Sequence, residues 1–420
     1  MEIRNNTYTL RNCRYIVNPT GEIRKNENIV IQNGRIKSIG RELEGDEIDC
    51  SDYIVIPGLV NSHTHSPMTV LRGYYDDAEL EDWLNKIWEF EKTKFTKELM
   101  KIGSELAILE MLGNGTTSFV DMYFNPDQVA ELAEKYKIRA FAGYTFLDSL
   151  FDPYEIDKKQ RRLKKNEYFV PIINVHSIYA VSENTLKIAK QLAEELQTWI
   201  HIHVSETRKE LYTIKKRNGL FPVEYLAKLG LVNQKLQMVH LGWVASWEIE
   251  TIKRNGSTVT YCPTSNMKLA TGGSFPFKEM LKNGINITLG TDGAASNNSL
   301  DMFQEMKIGV LLQRQMYWNV ETKAIDLFRS STINGYRLLG IKGGLIKEGY
   351  VGDLVLIDSH FVYPLSQDKL FSHLVYYADG RYVSKVIING IIHDKGNIQR
   401  ILTEKVKLLE NSYLDSINPS

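Results

Sequence analysis

Eight short apolar, β-prone segments alternate with longer amphipathic segments between about residue 57 and residue 292. In two of the longer segments, 97–112 and 183–196, apolar residues recur with the spacing of one helix face. Regular alternation of strands and helices is typical of a parallel sheet, and eight units favour a closed barrel over an open sheet. We therefore predict an α/β fold, a (β/α)8 TIM barrel. Its strands are expected to end near eight residues: His65, Tyr123, Phe146, Tyr179, Glu206, Gly242, Ser265 and Asp292.

Two helical stretches, 300–315 and 321–339, follow the eighth strand and are expected to complete the barrel. The third helix is the weakest part of the pattern, because segment 151–166 is short and strongly basic. A charge run of this kind is usually a solvated helix face. Its basic residues are Lys158, Lys159, Arg161, Arg162, Lys164 and Lys165.

The two ends of the chain carry the same hairpin pattern. At 29–39 and at 385–393 an Asn-Gly pair stands between β-prone runs, and both residues tolerate the positive φ of a type I′ turn. A strand is also predicted at 352–358. Two unrelated hairpins are one interpretation. We prefer a single small β-sandwich, because neither end alone could bury a core, and we predict two domains: 1–56 with 345–420 for the sandwich, and 57–344 for the barrel.

Composition and charge disfavour several classes of protein. Of 420 residues, 43% are hydrophobic and 24% charged, as in an ordinary globular protein. The 51 basic and 51 acidic residues give zero formal net charge, which argues against nucleic acid or an anionic membrane as partner. The first six residues lack an apolar signal core, and no apolar run is long enough to span a bilayer. Together with three widely separated cysteines, Cys13, Cys50 and Cys262, this favours a cytoplasmic protein.

Histidines are concentrated at the predicted C-terminal strand ends, which form the active-site face of such barrels. The first strand ends with His63 and His65, separated by one residue. Residues i and i+2 share one face of a strand, so both imidazoles can reach the same metal ion. A pair of hydrogen-bonded core histidines explains the spacing equally well, because histidine is common in both settings.

The fifth predicted strand carries a second pair, His201 and His203. His203 lies nearer the C-terminal end of the strand and is the better candidate for a ligand, whereas His201 is expected to pack deeper as a structural residue. Glu206 follows just past the strand end, where a carboxylate can meet a bound substrate. The alternative for Glu206 is an acidic residue that the dipole of a helix N-terminus favours.

Two further strands bring polar residues to the same rim. The sixth carries His240, and the eighth ends at Asp292 between two glycines. Taken singly, His240 fits core packing and Asp292 fits a helix cap. Convergence with His63, His65 and His203 changes this balance, because four separate strands then place a histidine or an aspartate at one face. Three imidazoles and a carboxylate suit zinc or ferrous iron.

The run PGLVNSHTH at 57–65 resembles the first-strand motif of the amidohydrolase superfamily. Within that superfamily, the chain is most similar to the 5-methylthioadenosine/S-adenosylhomocysteine deaminases and their relatives. The resemblance covers most of the chain, from about Tyr8 to Asp394. It is carried by several further runs: 68–73, 83–84, 203–207, His240, 265–269 and 290–298.

The resemblance implies a metal-binding barrel with a small β-sandwich formed by both termini. It implies a single divalent metal ion, with zinc expected and iron as the alternative. The residues that correspond to its ligands are His63, His65, His203 and Asp292.

The resemblance also implies roles for residues around that ion. Glu206 corresponds to the acid/base that handles the ring nitrogen of the substrate, and His240 to the histidine that hydrogen-bonds the activated water. Asp292 is expected to accept a proton from that water. Glu91 corresponds to a glutamate that binds ribose hydroxyls, and His176 to a histidine that contacts the substrate.

The activity that the resemblance implies is hydrolytic deamination of an adenine nucleoside: adenosine, 5′-deoxyadenosine, 5-methylthioadenosine or S-adenosylhomocysteine. An alternative is an aminohydrolase or chlorohydrolase acting on another nitrogen heterocycle, such as guanine or an s-triazine. A non-catalytic scaffold is a third hypothesis, disfavoured because the full ligand set and Glu206 are present. A small-molecule partner and a homodimer or homotetramer are expected from the resemblance.

Two features depart from the family pattern and bear on the substrate. Glu91 corresponds to its counterpart only with a one-residue gap after Trp83. Relatives that use S-adenosylhomocysteine carry arginines that can pair with the amino-acid carboxylate, and Tyr144 stands where one of these is expected. Either Arg161 or Arg162 substitutes for that arginine, or the carboxylate site is absent.

Overall fold

The computed structural model describes residues 6–417. The first five residues and the last three lie outside the described part, so the expectation that no signal segment stands at the start stays a prediction. Within residues 6–417, no helix combines the length and the apolar character that are needed to cross a bilayer.

Eight parallel strands form the predicted barrel. They lie side by side in chain order, from the first to the eighth, with helices between successive strands, which confirms the (β/α)8 fold class. A short extra strand, Phe169–Pro171, pairs with the third. The eight barrel strands are Leu59–Thr64, Thr116–Tyr123, Arg139–Phe146, Ile173–Ser177, Ile200–Val204, Leu236–His240, Thr258–Tyr261 and Ile287–Leu289.

The second and third strands end at the predicted residues, but the fourth to the eighth end two to four residues earlier. The backbone explains part of this difference. Near three of these ends φ is positive: 54° at Ser205, 77° at His240 and 64° at Asp292. Residues other than glycine rarely adopt this left-handed conformation, which an extended strand does not allow. The chain therefore leaves the strand while the polar side chains stay at the rim.

Helices surround the barrel. The predicted segment 321–339 is two helices rather than one, because Thr332 has φ −123° and ψ −101°, outside the helical region. The third unit has a short helix, and the basic side chains between 158 and 165 are exposed, as predicted. The helices up to residue 338 are Leu80–Thr93, Lys97–Gly113, Pro126–Tyr136, Pro153–Gln160, Glu183–Glu195, Arg208–Asn218, Pro222–Lys228, Ser246–Asn255, Pro263–Lys268, Phe277–Lys282, Ala294–Asn297, Met302–Tyr317, Ala324–Ser331 and Ile333–Leu338.

Helical turns and one long helix complete the chain. A 3-10 helix, Ser66–Leu71, follows the first barrel strand and is fully buried. After the barrel come a π-helix, His373–Tyr377, and a long C-terminal helix, Lys395–Ile417. The remaining short turns of helix are Ser359–Phe361, Gln367–Lys369, Leu370–Ser372 and Gly380–Tyr382.

The first and eighth strands meet through a small set of polar contacts. The Asp292 amide donates to the His63 carbonyl at 3.0 Å. The Asn61 side chain donates to Thr291 Oγ1 at 2.7 Å and accepts from the Thr291 amide at 3.0 Å. A Cβ at Gly290 would lie 2.8 Å from His63 Cβ, so this close approach requires glycine.

The four-stranded sheet comes from residues 7–49, and the six-stranded sheet combines strands from both ends of the chain; together they confirm the predicted β-sandwich. Side chains from both ends share one apolar core that includes Leu10, Ile31, Val55, Leu354 and Ile387. The four-stranded sheet has the order Arg35–Gly40, Glu27–Gln32, Thr7–Cys13, Asp46–Asp49. The six-stranded sheet has the order Ile391–Asp394, Val383–Ile388, Leu354–Asp358, Tyr53–Pro57, Tyr15–Val17, Ile23–Arg24.

The two predicted Asn-Gly hairpin turns are present and touch each other. Asn33 and Gly34 have φ of 50° and 73°, and Asn389 and Gly390 have φ of 50° and 80°, as a type I′ turn requires. A Cβ at Gly34 would lie 2.5 Å from Asn389 Oδ1. The contact between the two ends of the chain therefore depends on glycine at this turn.

A buried ion pair joins the barrel to the terminal sheets. Arg139, the first residue of the third barrel strand, donates to the fully buried carboxylate of Asp353. The same carboxylate accepts from the Tyr336 hydroxyl and from the Asn389 amide, each at 2.8 Å. Asp353 therefore connects a barrel strand, a barrel helix and the second hairpin turn.

Replacing Asp353 with asparagine should lower the free energy of unfolding by about 3–5 kcal/mol, because the buried guanidinium of Arg139 loses its counter-charge. Circular dichroism during a urea titration measures this change as a lower midpoint, with an unchanged dependence of the free energy of unfolding on urea concentration.

Glu44→Gln is the control for this substitution. Glu44 accepts from Lys37 at 2.6 Å on the surface of the same sandwich, and both side chains are more than one third exposed. Exposed pairs of this kind contribute about 0–1 kcal/mol. An Asp353→Asn variant that loses no more stability than Glu44→Gln would contradict the role of Asp353 in joining the barrel to the terminal sheets.

Candidate active site

The structure brings the histidines of the first strand to the predicted rim of the barrel. His63 is fully buried, and the side chain of His65, just past the strand, is 11% exposed. Their imidazole rings lie 4.8 Å apart, edge to face. Asp292, from beyond the eighth strand, lies between them: its Oδ1 is 3.4 Å from His63 Nε2 and 3.2 Å from His65 Nε2. Two strands that are distant in sequence therefore share one polar cluster.

Asp292 is ionised in this cluster. Burial by itself would raise the pKa of its carboxyl, but hydrogen bonds and charge from His63 and His65 outweigh burial and hold that pKa well below the usual value. Ser265 Oγ donates to the second oxygen at 2.6 Å, and the Gly293 amide donates to the first at 2.7 Å. The carboxylate is thus fixed in position as well as in charge.

His203 completes the cluster from the fifth strand, and its Nε2 lies 3.2 Å from His63 Nε2. Burial lowers the pKa of His63 to about 4 and that of His203 well below its usual value, so both rings are neutral and keep a lone pair. Burial also lowers the pKa of His65, but Asp292 outweighs it and the net shift is upward. The nitrogens of His63, His65 and His203 lie close enough together to hold one metal ion.

His201 lies deeper than His203, as the sequence predicts. Its Nε2 is 2.8 Å from His63 Nδ1, and its Nδ1 is 3.0 Å from Asn174 Oδ1. The side-chain amide of Asn174 donates in turn to the Asp121 and Gly143 carbonyls, each at 2.9 Å. This series of hydrogen bonds fixes the orientation of the His63 ring and directs its Nε2 towards Asp292.

A backbone group fixes the other ring of the first strand. His65 Nδ1 donates to the Met122 carbonyl at 2.6 Å, which leaves Nε2 facing Asp292. The residue after His65 is anchored as well, because Ser66 donates to the buried Asp121 carboxylate through its amide at 2.6 Å and its hydroxyl at 2.8 Å. The acceptors in these contacts, Met122 and Asp121, both belong to the second strand.

Glu206 and His240 stand beside the cluster. His240 Nε2 lies 3.6 Å from Glu206 Oε1, and His240 Nδ1 lies 2.8 Å from Asn266 Oδ1. Burial raises the pKa of the Glu206 carboxyl, which favours its protonated form. The Glu206 amide donates to Glu210 at 2.8 Å, which fixes the backbone at this point. Glu206 is therefore a buried carboxyl that can carry a proton next to the histidine cluster.

The cluster forms the floor of a pocket, and one helix supplies much of the wall. Six residues of the helix Leu80–Thr93 line it: Leu80, Trp83, Leu84, Ile87, Trp88 and Glu91. Two ion pairs connect this helix and the loop before it to the barrel rim. Lys209 donates to Glu81, and Lys268 donates to Asp76 at 2.5 Å. The wall is thus tied to the helices that follow the fifth and seventh strands.

Glu91 and His176, the two remaining site residues from the sequence, both line this pocket. Glu91 Oε1 accepts from the Tyr123 hydroxyl at 2.5 Å, while Oε2 is buried without a partner among the described residues. Burial raises the pKa of Glu91 to about 7. The His176 ring lies 5.2 Å from that of His203 and 6.0 Å from the indole of Trp88. All eight residues selected from the sequence therefore belong to one pocket or its floor.

Sequence reasoning assigned no role to several residues that hold this site. Ser265 and Asn266 follow the seventh strand, so the rule that selected the histidines could have found them. Glu210 accepts from two backbone amides, those of Ser205 and Glu206, at 3.0 and 2.8 Å. The carbonyl of Met122 carries no side-chain signal, and only the fold could reveal its contact with His65.

Comparison with known proteins agrees with this architecture. Residues 54–392 match the amidohydrolase family. The 5-methylthioadenosine/S-adenosylhomocysteine deaminase 1 of Archaeoglobus fulgidus is 38% identical over 408 residues, which cover 94% of this chain and 96% of that protein. The 5′-deoxyadenosine deaminase of Methanocaldococcus jannaschii is 37% identical over 405 residues, which cover 91% of this chain and 94% of that protein.

A solved structure extends the similarity to three dimensions. An adenosine deaminase from Xanthomonas campestris, determined with bound zinc, has a TM-score of 0.87 to this chain at 29% sequence identity. The match covers 96% of this chain and 98% of that one. Because the family match spans residues 54–392 and the relatives are similar over nearly their whole length, the chain belongs to the amidohydrolase family and is a hydrolytic enzyme.

Proposed function

We propose that this chain is a metal-dependent hydrolase that deaminates an adenine nucleoside to the inosine analogue and ammonia. The observation that carries the proposal is the buried Glu206 carboxyl, 3.6 Å from His240 and in one pocket with His65, His203 and Asp292. Hydrolytic deamination needs an activated water and a proton donor in one pocket, and these residues can supply both. The names of the relatives, deaminases of adenine nucleosides, support the same reaction.

The donor set fits a divalent metal ion. His63, His65, His203 and Asp292 would be the ligands, and three of their donor–donor distances are 3.2, 3.4 and 3.2 Å. Four ligands placed tetrahedrally at about 2.0–2.1 Å from zinc are about 3.3 Å apart, so little movement is needed. Such binding requires neutral imidazoles and an ionised carboxylate, and the lowered pKa values of His63, His203 and Asp292 favour these states. We propose zinc, with ferrous iron as the alternative.

A divalent ion in this position would act as a Lewis acid and lower the pKa of a water molecule towards neutrality. The residues of the chain supply the proton transfers. Asp292, ionised and held by Ser265, accepts a proton from the attacking water. Water adds to C6 of the adenine ring, Asp292 or Glu206 returns a proton to the amino group, the C6–N bond breaks and ammonia leaves.

Glu206 is the proposed general acid. The ring carbon becomes electrophilic when the adjacent ring nitrogen gains a proton, and a buried carboxyl with a raised pKa can donate one near neutral pH. His240 stabilises the negative charge that develops on the oxygen bonded to that carbon, and its Nδ1 contact with Asn266 fixes the ring for this role.

Glu91 is the proposed contact to the ribose hydroxyls, and His176 is a further proposed contact to the substrate. The unpartnered Oε2 of Glu91 is a buried acceptor that a ribose hydroxyl would satisfy. Because Glu91 and Glu206 line the same pocket, one substrate molecule could meet both carboxyls.

We also propose that the domains divide at the predicted boundaries, 1–56 with 345–420 and 57–344. In support, Tyr53–Pro57 pairs with Leu354–Asp358 in a terminal sheet, while Leu59–Thr64 is already a barrel strand. The C-terminal helix belongs to the terminal segment in sequence but contacts the barrel, where Lys405 meets Glu105 at 2.8 Å.

His203→Ala should lose the metal and the activity together, because one of the four donors is removed. The measurement is metal content per chain by mass spectrometry after dialysis, with ammonia release in parallel. His360→Ala is the control, since His360 is an exposed histidine that contacts Asp358. Unchanged metal content in His203→Ala would mean that the ligand set is wrong.

Glu206→Gln should keep the metal and lower kcat by about 10²–10⁴-fold, because the amide cannot transfer the proton. Glu194→Gln is the control and should retain full activity, because Glu194 is an exposed glutamate of the helix Glu183–Glu195. Normal ammonia release by Glu206→Gln would refute the role proposed for Glu206.

A screen for ammonia release tests the substrate class directly. Adenosine, 5′-deoxyadenosine and 5-methylthioadenosine should release ammonia, whereas guanine and aminotriazines should not. Failure of every adenine nucleoside, with turnover of another heterocycle, would reject the proposed function in favour of the second hypothesis drawn from the sequence.

A further inference from the structure

The charge of the pocket wall restricts which nucleosides fit. Apart from histidines and tyrosines, the ionisable residues that line the pocket are three carboxylic acids, Glu91, Glu206 and Asp292. Of the described residues that line it, none is a lysine or an arginine. An anionic group on the substrate would therefore find no cationic side chain to pair with in this pocket.

The rest of the wall is mostly apolar. Leu80, Leu84 and Trp88 belong to the helix Leu80–Thr93, and Phe124, just past the second strand, lines the same pocket. The Phe124 ring packs edge to face on Phe151, with ring centres 5.0 Å apart. A charged group that enters such surroundings loses its hydration and gains no hydrogen bond in return.

Two basic side chains outside the pocket, Lys209 and Arg161, already pair with carboxylates of the chain. Lys209, in the groove that continues outward past Leu84 and Trp88, is bound to Glu81. Arg161 is bound to Asp157 at 3.0 Å and to Glu195 at 2.7 Å. Each of these cations has a carboxylate of the chain as its partner.

The charged groups at the end of the third strand also have partners within the chain. Tyr144 donates its hydroxyl to Asp127, and Lys159 lies over the Tyr144 ring at 5.8 Å from its centre. Neither Tyr144 nor Lys159 lines the pocket, and the exposed Arg162 does not line it either. The basic stretch after Phe151 therefore supplies no cation to the pocket.

We propose that the pocket selects adenine nucleosides whose 5′ substituent is uncharged, and that it discriminates against those that end in an amino-acid zwitterion. The relatives' names include both kinds: 5′-deoxyadenosine and 5-methylthioadenosine are uncharged at this end, whereas S-adenosylhomocysteine carries a carboxylate and an ammonium group. This inference rests on the proposed deaminase function and narrows its substrate class. The selection comes from the absence of a counter-charge in the wall.

The test compares kcat/KM for four nucleosides with the full-length, metal-loaded enzyme. These are 5′-deoxyadenosine, 5-methylthioadenosine, 5′-butylthioadenosine and S-adenosylhomocysteine. The butylthio compound matches the chain length of homocysteine without its charges, and so separates size from charge. We expect the three uncharged compounds to agree within about tenfold, and S-adenosylhomocysteine to be at least about 100-fold poorer than the butylthio compound.

Each contrary outcome has a distinct meaning. A kcat/KM for S-adenosylhomocysteine within about threefold of that for 5-methylthioadenosine would overturn the proposal. Loss of that activity in Lys159→Ala would then show that Lys159 supplies the counter-charge. Equal losses for the butylthio compound and S-adenosylhomocysteine would also overturn it, because size would then be the cause. Absence of ammonia from all four would reject the deaminase function itself, and this inference with it.

A variant that adds a cation gives the converse test. Phe124→Arg should raise kcat/KM for S-adenosylhomocysteine relative to 5-methylthioadenosine by about tenfold or more, because a guanidinium can pair with the carboxylate. Phe124→Met is the matched control, an unbranched side chain without charge, and should leave the ratio within about twofold. A change of the ratio that is equal in both variants would contradict the charge argument.

Discussion

The contact between Asp292 and the histidines of the first strand is the interaction on which the site and the barrel both depend. Asp292 lies beyond the eighth strand, and its amide donates to the His63 carbonyl where that strand meets the first. Its carboxylate also reaches both His63 and His65. The same residue therefore helps to close the barrel and to assemble the candidate metal site. Such a cluster is costly to bury, and the barrel offsets the cost by giving each ring a fixed partner, through His201 for His63 and Met122 for His65.

The pocket above this cluster has two parts with different physical character. Its floor is polar, and the residues that would handle the metal, the water and the proton all come from strand ends. Its wall is mostly apolar and comes largely from one helix, Leu80–Thr93, outside the barrel strands. Because the two parts come from different elements, the reaction and the choice of substrate can vary independently. The floor fits hydrolysis of an amino-substituted ring, while the wall determines what the ring may carry.

The terminal domain contributes through its attachment rather than through the site. Its two hairpin turns pack on each other, and Asp353 links it to Arg139 at the start of the third barrel strand. In a (β/α)8 barrel that end of the strands lies opposite the catalytic face. The ion pair between Arg139 and Asp353 can therefore support the barrel without restricting access to the pocket.

Much of this arrangement was determined by the sequence itself. Alternating patterns predicted the barrel, because strand and helix periodicities are local properties, and the Asn-Gly pairs predicted both hairpins for the same reason. Strand alternation grouped His63 with His65 and His201 with His203, and nearness to the C-terminal end of the strand separated His203 from His201. The sequence left two explanations for the cluster, because each of its residues also had a structural role when taken singly.

Only the tertiary structure decided the rest. Positive φ at Ser205 ended the fifth strand before Glu206, and the turn at Thr332 divided a predicted helix in two. Whether a basic residue reaches the pocket also could not be read from the chain, because Arg161 is bound to Glu195, a residue of the next helix. Such pairings depend on contacts between segments far apart in sequence, which no local pattern encodes. The sequence thus specified which residues could perform the chemistry, and the fold specified which of them meet and which charges are already neutralised.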